Sequence, residues 1–228
     1  MMVREKLRRI VPFLAVYLSW YAYALVYPYI GRWSVDILPH FLKLPLTSYS
    51  FEYSIVSWTV SHHFLHAFMR AIYRAGFAGS FWLPALYFVL TQPENARRLA
   101  TRFAIGFGIL AISFLIFHVH APHVVYSLPE RYAPNDWTAP PEFVFPSPHC
   151  TLAFIGLFSV LETKRKDAIP LALFLALVPV STVLLGEHWV WDAVAGFLVA
   201  LTAIKLERKG RKLFKAQGKM TERWSYED

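Results

Sequence analysis

Six long apolar runs limit what this 228-residue chain can fold into. A membrane-spanning helix needs about 20 apolar residues, and fewer where flanking side chains reach the interface. The runs cover residues 11–30, 77–92, 103–120, 149–161, 168–186 and 189–204. Asp192 is the only charged residue within them, and the chain as a whole is only 17% charged and 56% hydrophobic. The sequence therefore predicts an all-α, polytopic membrane protein: a six-transmembrane-helix bundle that forms one membrane domain over residues 1–228.

The longest connection between these runs, residues 31–76, is predicted to lie on the outer side of the membrane. Its first half is rich in turn-forming residues, whereas its second half has helical periodicity. One face of that helix carries Leu65, Phe68, Met69 and Ile72. The other face carries His62, His66, Arg70 and Arg74. The pattern predicts an amphipathic helix in the membrane interface.

Basic residues predict the orientation of the bundle. Of the 23 Lys and Arg residues, 18 fall in the N-terminal segment, the connections at 93–102 and 162–167, and the tail at 205–228. Because positive charge marks the cytoplasmic side, both termini are predicted to be cytoplasmic in a multi-pass protein of the cell membrane. The net charge of +8 then reflects topology and attraction of the basic tail to anionic lipid, and we expect no nucleic-acid partner.

Two polar segments interrupt this apolar sequence, and the predicted topology brings both to the extracytoplasmic side. In "STVLLGEHWVWDAVAG", His188 precedes Asp192 by four residues, so the two share a helix face. A carboxylate there can fix the imidazole tautomer and leave the second ring nitrogen as a nucleophile. The alternative is a structural His–Asp pair that joins two helices.

The other segment, "FPSPHC", places Ser147 and His149 at the start of the fourth predicted helix. The N–H groups of a helix N-terminus bind anions, and a histidine there can protonate a leaving oxygen. The alternative is that Ser147 is only the N-cap residue of the helix. Arg131, in "LPERY", is either a phosphate clamp or an exposed loop charge.

Together these residues resemble the type 2 phosphatidic acid phosphatase superfamily. Its second motif, "PSGH", resembles "PSPH", and its third, "SRxxxxxHxxxD", resembles "STVLLGEHWVWD". The resemblance implies that His188 attacks phosphorus to form a phosphohistidine, that Asp192 orients His188, and that His149 protonates the leaving alcohol. It also implies that Ser147 and Arg131 bind the substrate phosphate.

The chain departs from the family pattern at its cations. The first motif, a lysine followed seven residues later by Arg-Pro, is absent, and Thr182 replaces the arginine of the third motif. Fewer cations suit a phosphodiester better than a monoester, which carries a second charge. The chain is most similar to the branch that contains inositol phosphorylceramide synthase. We therefore expect transfer of a phosphate-linked head group between lipid alcohols, as in an inositol phosphotransferase.

Two other functions fit the sequence. The first is a lipid phosphate phosphatase that hydrolyses phosphatidate-like or polyprenyl (di)phosphates, with water as the acceptor. In that case the auxiliary residues would restore the lost charge: His62, His66, Arg70 and Arg74. The second is a non-catalytic carrier or scaffold with the same fold.

Two histidine clusters have spacings that resemble metal sites. They are His62 and His66, and the group His118, His120 and His123. A zinc site needs three or four ligands in a closed geometry. We expect interfacial histidines here, with no metal and no cofactor.

Overall fold

The computed structural model describes residues 2–129 and 142–224, and nearly all of this part of the chain is helical. The helices are α1 (Met2–Ile30), α2 (Leu38–Phe41), α3 (Tyr49–Ser61), α4 (His63–Thr91), α5 (Pro93–Ile116), α6 (Pro122–Val125), α7 (Pro148–Leu161), α8 (Ile169–Leu184) and α9 (Val190–Trp224). Short 3₁₀ turns cover Gly31–Trp33 and Lys166–Ala168, and two-residue strands cover β1 (Val35–Asp36) and β2 (Phe117–His118). The predicted all-α class is confirmed.

Three helical segments among the described residues are long and apolar enough to cross a membrane. They are Arg8–Trp33, Pro93–Ile116 and Lys166–Leu184. Helix α7 is apolar but shorter. The predicted spans at 77–92 and 189–204 belong to the longer helices α4 and α9, and α9 continues into the basic tail. The number of six spans stays a prediction.

The structure differs from the sequence prediction in the connection at 31–76. Its second half does not form one separate helix: it includes the end of α3, and α4 then runs without a break into the second predicted span. The location in the membrane interface stays a prediction. The buried face of α4 does not coincide with either predicted face: Met69 is buried beside His66, while Phe68 is 40% exposed. The reason is tertiary packing, since α4 turns Tyr73 and Gly76 towards the bundle. Gly76 lowers the helix propensity of α4, but it leaves room for His149 of α7 and Val178 of α8.

Helix α7 lies at the centre of the bundle, in contact with α4, α5, α8 and α9. Its residues Leu152, Ala153 and Ile155 are fully buried. Aromatic side chains fill the space between the outer helices: the rings of Trp20 and Phe107, for example, are stacked at 4.5 Å. Because this core is built from large apolar residues on several helices, it fixes the relative positions of the helix ends that carry the polar segments.

The helix ends that carry the polar segments meet at one end of the bundle. Strands β1 and β2, which follow α1 and α5, pair in parallel, so both helices end on the same side. The indole N–H of Trp189, before α9, donates to the carbonyl of His120, just after β2, at 2.8 Å. The start of α7 joins them, since the Ser147 N–H donates to the Asp192 carbonyl at 3.2 Å.

At the opposite end, buried ion pairs join α5, α7 and α9. Arg102 is 1% exposed, and its guanidinium contacts Glu162 at 3.0 Å and Glu207 at 3.2 Å. It also donates to the Ser159 hydroxyl at 2.8 Å. Arg208 reaches Glu162 at 2.7 Å. The basic connections and the tail therefore gather at the end of the bundle that lies away from His188.

Candidate active site

His188 and Asp192 form a buried pair at the start of α9. The imidazole Nδ1 of His188 lies 3.2 Å from Asp192 Oδ2, and the two side chains are 5% and 0% exposed. The same Oδ2 accepts the Trp189 N–H at 2.8 Å. Because a carboxylate only accepts hydrogen bonds, Nδ1 carries the proton and Nε2 keeps its lone pair. The geometry is the one that a histidine nucleophile oriented by a carboxylate would need.

The connection between α8 and α9 holds His188 in place by its backbone. The N–H groups of Glu187 and His188 both donate to the Thr182 carbonyl, at 3.0 and 3.1 Å. Gly186 has a φ of 67°, which favours glycine, and a Cβ there would lie 2.7 Å from Leu128 Cδ1. Burial lowers the pKa of His188 to about 4, so the imidazole is neutral at physiological pH.

Ser147 joins the start of α7 to the imidazole. Its Oγ accepts the N–H of Cys150 at 3.2 Å, which makes it the N-cap of α7, and lies 3.3 Å from His188 Nε2. Ser147 therefore caps α7 and contacts His188 at the same time, so the two alternatives from the sequence do not exclude each other. Gly196 makes this approach of α7 and α9 feasible, because a Cβ there would lie 3.0 Å from the Thr151 amide nitrogen.

His149 faces His188 from the first turn of α7. The ring centroids of the two histidines are 5.7 Å apart. The His149 ring stacks on Tyr73 at 4.9 Å and meets the edge of Phe77 at 5.5 Å. Helix α4 therefore holds the His149 ring towards His188, and the His149 side chain is half-buried.

The cations of the site differ from the family pattern. Arg131, the predicted phosphate clamp, lies outside the described residues. Thr182 occupies the place of the third-motif arginine and is fully buried. Its hydroxyl donates to the Pro179 carbonyl at 2.8 Å and lies 3.6 Å from the sulfur of Cys150. A neutral side chain, satisfied by local hydrogen bonds, thus replaces a charge there.

The four auxiliary residues do not act as one stripe. His62 ends α3 and is exposed, with its Nδ1 2.7 Å from the Trp58 carbonyl oxygen. His66 is 9% exposed, on the same face of α4 as Tyr73. Arg70 is half-buried and Arg74 is exposed. Only His66 of the four lies on the buried face that leads to His149.

The second histidine cluster secures the connections around the site. His118 Nδ1 lies 2.8 Å from the Ser34 hydroxyl, and the His120 carbonyl accepts from Trp189. The backbone N–H and Nδ1 of His123 both lie 3.2 Å from the Gly186 carbonyl oxygen. Within residues 2–129 and 142–224, no group of three or more metal-ligating side chains could hold a metal ion.

Sequence reasoning missed two carboxyl groups next to the site. Glu187 Oε2 lies 3.4 Å from the Tyr73 hydroxyl and 3.5 Å from His123 Nδ1. Glu52, in the first turn of α3, is fully buried. The one available signal was that Glu52 is the only acidic residue between Asp36 and Glu94. Its position over the site depends on tertiary packing, which no local pattern reveals.

Comparison with known proteins gives one match. A sequence profile described as the PAP2 superfamily matches residues 47–206, well over half of the chain. The matched region includes α3, both histidines of the site and Asp192. No curated protein and no solved structure matches the chain. The motifs, their geometry and the extent of the match lead to one conclusion: the chain belongs to the PAP2 (type 2 phosphatidic acid phosphatase) superfamily.

Proposed function

We propose that this protein transfers a phosphate-linked head group between lipid alcohols through a phosphohistidine at His188. Superfamily membership suggests a phosphatase or phosphotransferase that acts on lipid phosphates. The observation that carries the finer proposal is the buried His188–Asp192 pair, whose Nε2 lies beside the capped N-terminus of α7. These features bring together a nucleophile, its orienting carboxylate and an anion-binding helix end.

In the first half of the reaction, His188 Nε2 attacks phosphorus. A P–N bond forms, and the P–O bond to the first alcohol breaks. The departing oxygen takes a proton from His149, whose protonated form is favoured by the negative phosphate beside it. Asp192 stays ionised and balances the positive charge on the phosphorylated imidazole.

In the second half, a new alcohol gives its proton to His149 and attacks phosphorus. The P–N bond breaks, a new P–O bond forms, and His188 returns to its neutral state. Water as the acceptor would give hydrolysis by the same steps. Ser147 and the first-turn N–H groups of α7 hold the phosphate oxygens, and Arg131 supplies the main positive charge.

The charge around His188 favours a singly charged phosphodiester as the substrate. Thr182 contributes no positive charge, and Glu187 lies next to the nucleophile in sequence, with its carboxylate at Tyr73. A second negative charge on the substrate would be held near carboxylates in a site with few cations. Head-group transfer, as in the branch that contains inositol phosphorylceramide synthase, uses a phosphodiester and therefore fits this charge distribution best.

A specific observation favours the second candidate, hydrolysis of phosphatidate-like or polyprenyl (di)phosphates. Arg70 and Arg74 line an open groove on α4, the helix whose Tyr73 stacks on His149. These two cations would neutralise a monoester if the substrate extended along that groove. Under our proposal they are incidental, and Arg131 is essential.

Variants of these arginines separate the two candidates. We expect Arg131→Gln to lower kcat/KM by at least about 10²-fold, because a charge-assisted contact to phosphate contributes about 1.5–3 kcal/mol. Arg70→Gln combined with Arg74→Gln should lower it by less than about tenfold. A collapse of activity in the double variant, with folding intact, would favour hydrolysis of a monoester.

The membrane arrangement is part of the proposal. Both termini are cytoplasmic in a multi-pass protein of the cell membrane, and the site opens on the extracytoplasmic side. This orientation is supported by the basic connections, which gather at the end of the bundle opposite to His188. A lipid substrate then enters from the outer leaflet, while the basic tail meets anionic lipid at the inner one.

The test is to incubate purified protein with phosphate-labelled lipids and an unlabelled lipid alcohol. Transfer moves the label to the second lipid, whereas hydrolysis releases inorganic phosphate or a soluble phosphoester. His188→Ala should abolish turnover, and Asp192→Asn should lower it by about 10²–10⁴-fold because the imidazole loses its orienting anion. The exposed His63→Ala is the matched control and should keep full activity. A protein that binds lipid but never moves label would be a carrier or scaffold.

A further inference from the structure

Glu52 is a buried carboxyl group for which the mechanism above has no role. It lies in the first turn of α3 and is fully buried. Neither of its carboxyl oxygens has a hydrogen-bond partner among the described residues. An ionised carboxylate in such surroundings is costly, so the group retains a proton. A neutral carboxylic acid can donate one hydrogen bond, and its position decides where that bond goes.

Helix α3 covers the loop that carries the nucleophile. Val56 follows Glu52 by one turn, and its Cγ2 would lie 3.0 Å from a Cβ at Gly186. The buried face of α3, with Glu52, Val56 and Thr59, therefore rests on the connection between α8 and α9. After burial, the charge of Asp192 is the second cause of the raised pKa of Glu52, and Glu52 in turn contributes to the raised pKa of Tyr126, so the three groups interact electrostatically.

Asp192 has a complementary oxygen. Its Oδ2 accepts hydrogen bonds from His188 and from the Trp189 backbone, whereas Oδ1 is buried without a partner among the described residues. Two buried carboxyl groups that interact electrostatically disfavour each other's ionisation, and sharing one proton removes that cost. Asp192 Oδ1 therefore lacks a donor and a protonated Glu52 lacks an acceptor, and one hydrogen bond between them would satisfy both groups.

We propose that Glu52 is a positioning residue that shares one proton with Asp192 and keeps Asp192 ionised towards His188. The inference rests on the proposed function, because it gives Asp192 its catalytic role. The Glu52 O–H donates to Asp192 Oδ1, and this makes Asp192 less basic. Asp192 then leaves the Nδ1 proton on the imidazole while the P–N bond forms, and no covalent bond changes at Glu52 itself.

The electrostatic surroundings agree with this assignment. Burial, with the charge of Asp192 as the second cause, raises the pKa of Glu52 to about 8. The other titratable groups around the loop are His188, Tyr126 and the Glu187–His123 pair. Glu187 has His123 Nδ1 at 3.5 Å and the Tyr73 hydroxyl at 3.4 Å, whereas neither Glu52 oxygen has a hydrogen-bond partner among the described residues, so we assign the proton donor for Asp192 to Glu52.

Two substitutions of Glu52 distinguish its role as a proton donor from its contribution to packing. Glu52→Gln keeps a donor of the same shape but cannot ionise, so we expect kcat at pH 6.5 to fall only about threefold. Wild-type kcat should fall above about pH 8, where Glu52 ionises, and this decline should be absent from Glu52→Gln. Glu52→Leu removes the donor and should lower kcat by about 30-fold with KM changed less than about threefold. Thr59→Val, on the same buried face, is the control and should keep the wild-type pH profile.

Infrared difference spectroscopy provides a readout that does not depend on turnover. The wild-type minus Glu52→Gln spectrum at pH 6.5 should contain the C=O stretching band of a protonated carboxylic acid, and Asp192→Asn should shift that band. Absence of the band, or a band unaffected by Asp192→Asn, would overturn the inference even if the enzyme is active. Inactive wild-type protein that shows both spectral effects would instead contradict the proposed function and leave the shared proton in place.

Discussion

The hydroxyl oxygen of Ser147 lies 3.3 Å from His188 Nε2, the nitrogen that we expect to attack phosphorus. Since the Nδ1 proton faces Asp192, the Ser147 O–H donates to the lone pair of Nε2 in the resting site. The substrate phosphate must therefore take over this hydrogen bond before the attack. The cap of α7 and the proposed nucleophile are linked through one hydroxyl group, and we expect substrate binding to break that link.

This link makes Ser147→Ala informative. We expect a loss of about 1 kcal/mol in the free energy of unfolding, because the N-cap of α7 is removed, and a kcat about tenfold lower because a phosphate contact is lost. Ser181→Ala is the matched control, since Ser181 is also fully buried and donates to the Val178 carbonyl at 2.7 Å. Thermal unfolding and lipid turnover should change together in Ser147→Ala, whereas Ser181→Ala should change unfolding alone.

The role of His149 can be tested through the leaving group. Protonation matters less as the leaving alcohol becomes more acidic. We expect His149→Gln to lose at least about 10²-fold in kcat on a natural lipid and much less on a nitrophenyl ester of the same phosphate. Equal losses on both substrates would mean that His149 only contacts the phosphate.

Gly196 tests how tightly α9 must approach α7. In Gly196→Ala the new Cβ would lie 2.9 Å from Cys150 Cβ and 3.1 Å from the Ser147 carbonyl oxygen, so the start of α7 must move. Because small displacements of catalytic groups are costly, we expect kcat to fall by about tenfold or more. Gly210→Ala, on the same helix but with nothing within 4 Å, should keep full activity and slightly stabilise α9.

The orientation in the membrane can be checked by thiol labelling in a Cys150→Ala background. Ser54 lies exposed on α3 near the site, and Lys212 lies exposed in the basic part of α9. An impermeant thiol reagent should label Ser54→Cys in intact cells and Lys212→Cys only after permeabilisation. The reverse pattern would place the site on the cytoplasmic side.

Thermal unfolding should also report the proton on Glu52. Its pKa is raised from an ordinary value of 4.5 to about 8 by burial and by Asp192, so the folded protein binds this proton more tightly than the unfolded chain does. The stability that this proton contributes is complete below about pH 4.5 and is lost as the pH rises through about 8. We expect the Tm of the wild type to fall relative to that of Glu52→Gln between pH 5 and pH 8. A constant difference in Tm would contradict the raised pKa.

Local patterns account for the parts of the site that were predicted from the sequence. Ser147 before Pro148 is a helix-start signal, and the spacing of His188 and Asp192 is one helical turn. The structure brings the segment of Ser147 and the segment of His188 and Asp192 together at one end of the bundle, as the sequence predicted. The role of each residue in catalysis stays a prediction.

What the sequence could not reveal depends on packing between distant segments. Tyr73 stacks on His149 because α4 begins well before Gly76, where it packs against α7. Glu52 lies near the connection between α8 and α9 because Val56 of α3 packs against Gly186. Hydrophobic periodicity reports which faces are apolar, but α4 buries His66 and Tyr73 and exposes Phe68. In a membrane an apolar side chain can face lipid, so the usual link between polarity and exposure is weaker there.

The ion pairs around Arg102 join the helices more strongly at one end of the bundle than the hydrogen bonds between α7 and α9 do at the other end. Breaking a buried pair costs about 3–5 kcal/mol, and Arg102 joins three helices through Glu162, Glu207 and Ser159. The ends of α7 and α9 that hold Ser147 and His188 are joined instead by single hydrogen bonds of 3.2–3.3 Å between the helices. If a substrate displaces these helix ends, we expect them to pivot about the arginine cluster, so the end of the bundle farthest from the phosphate would decide how far the site can open.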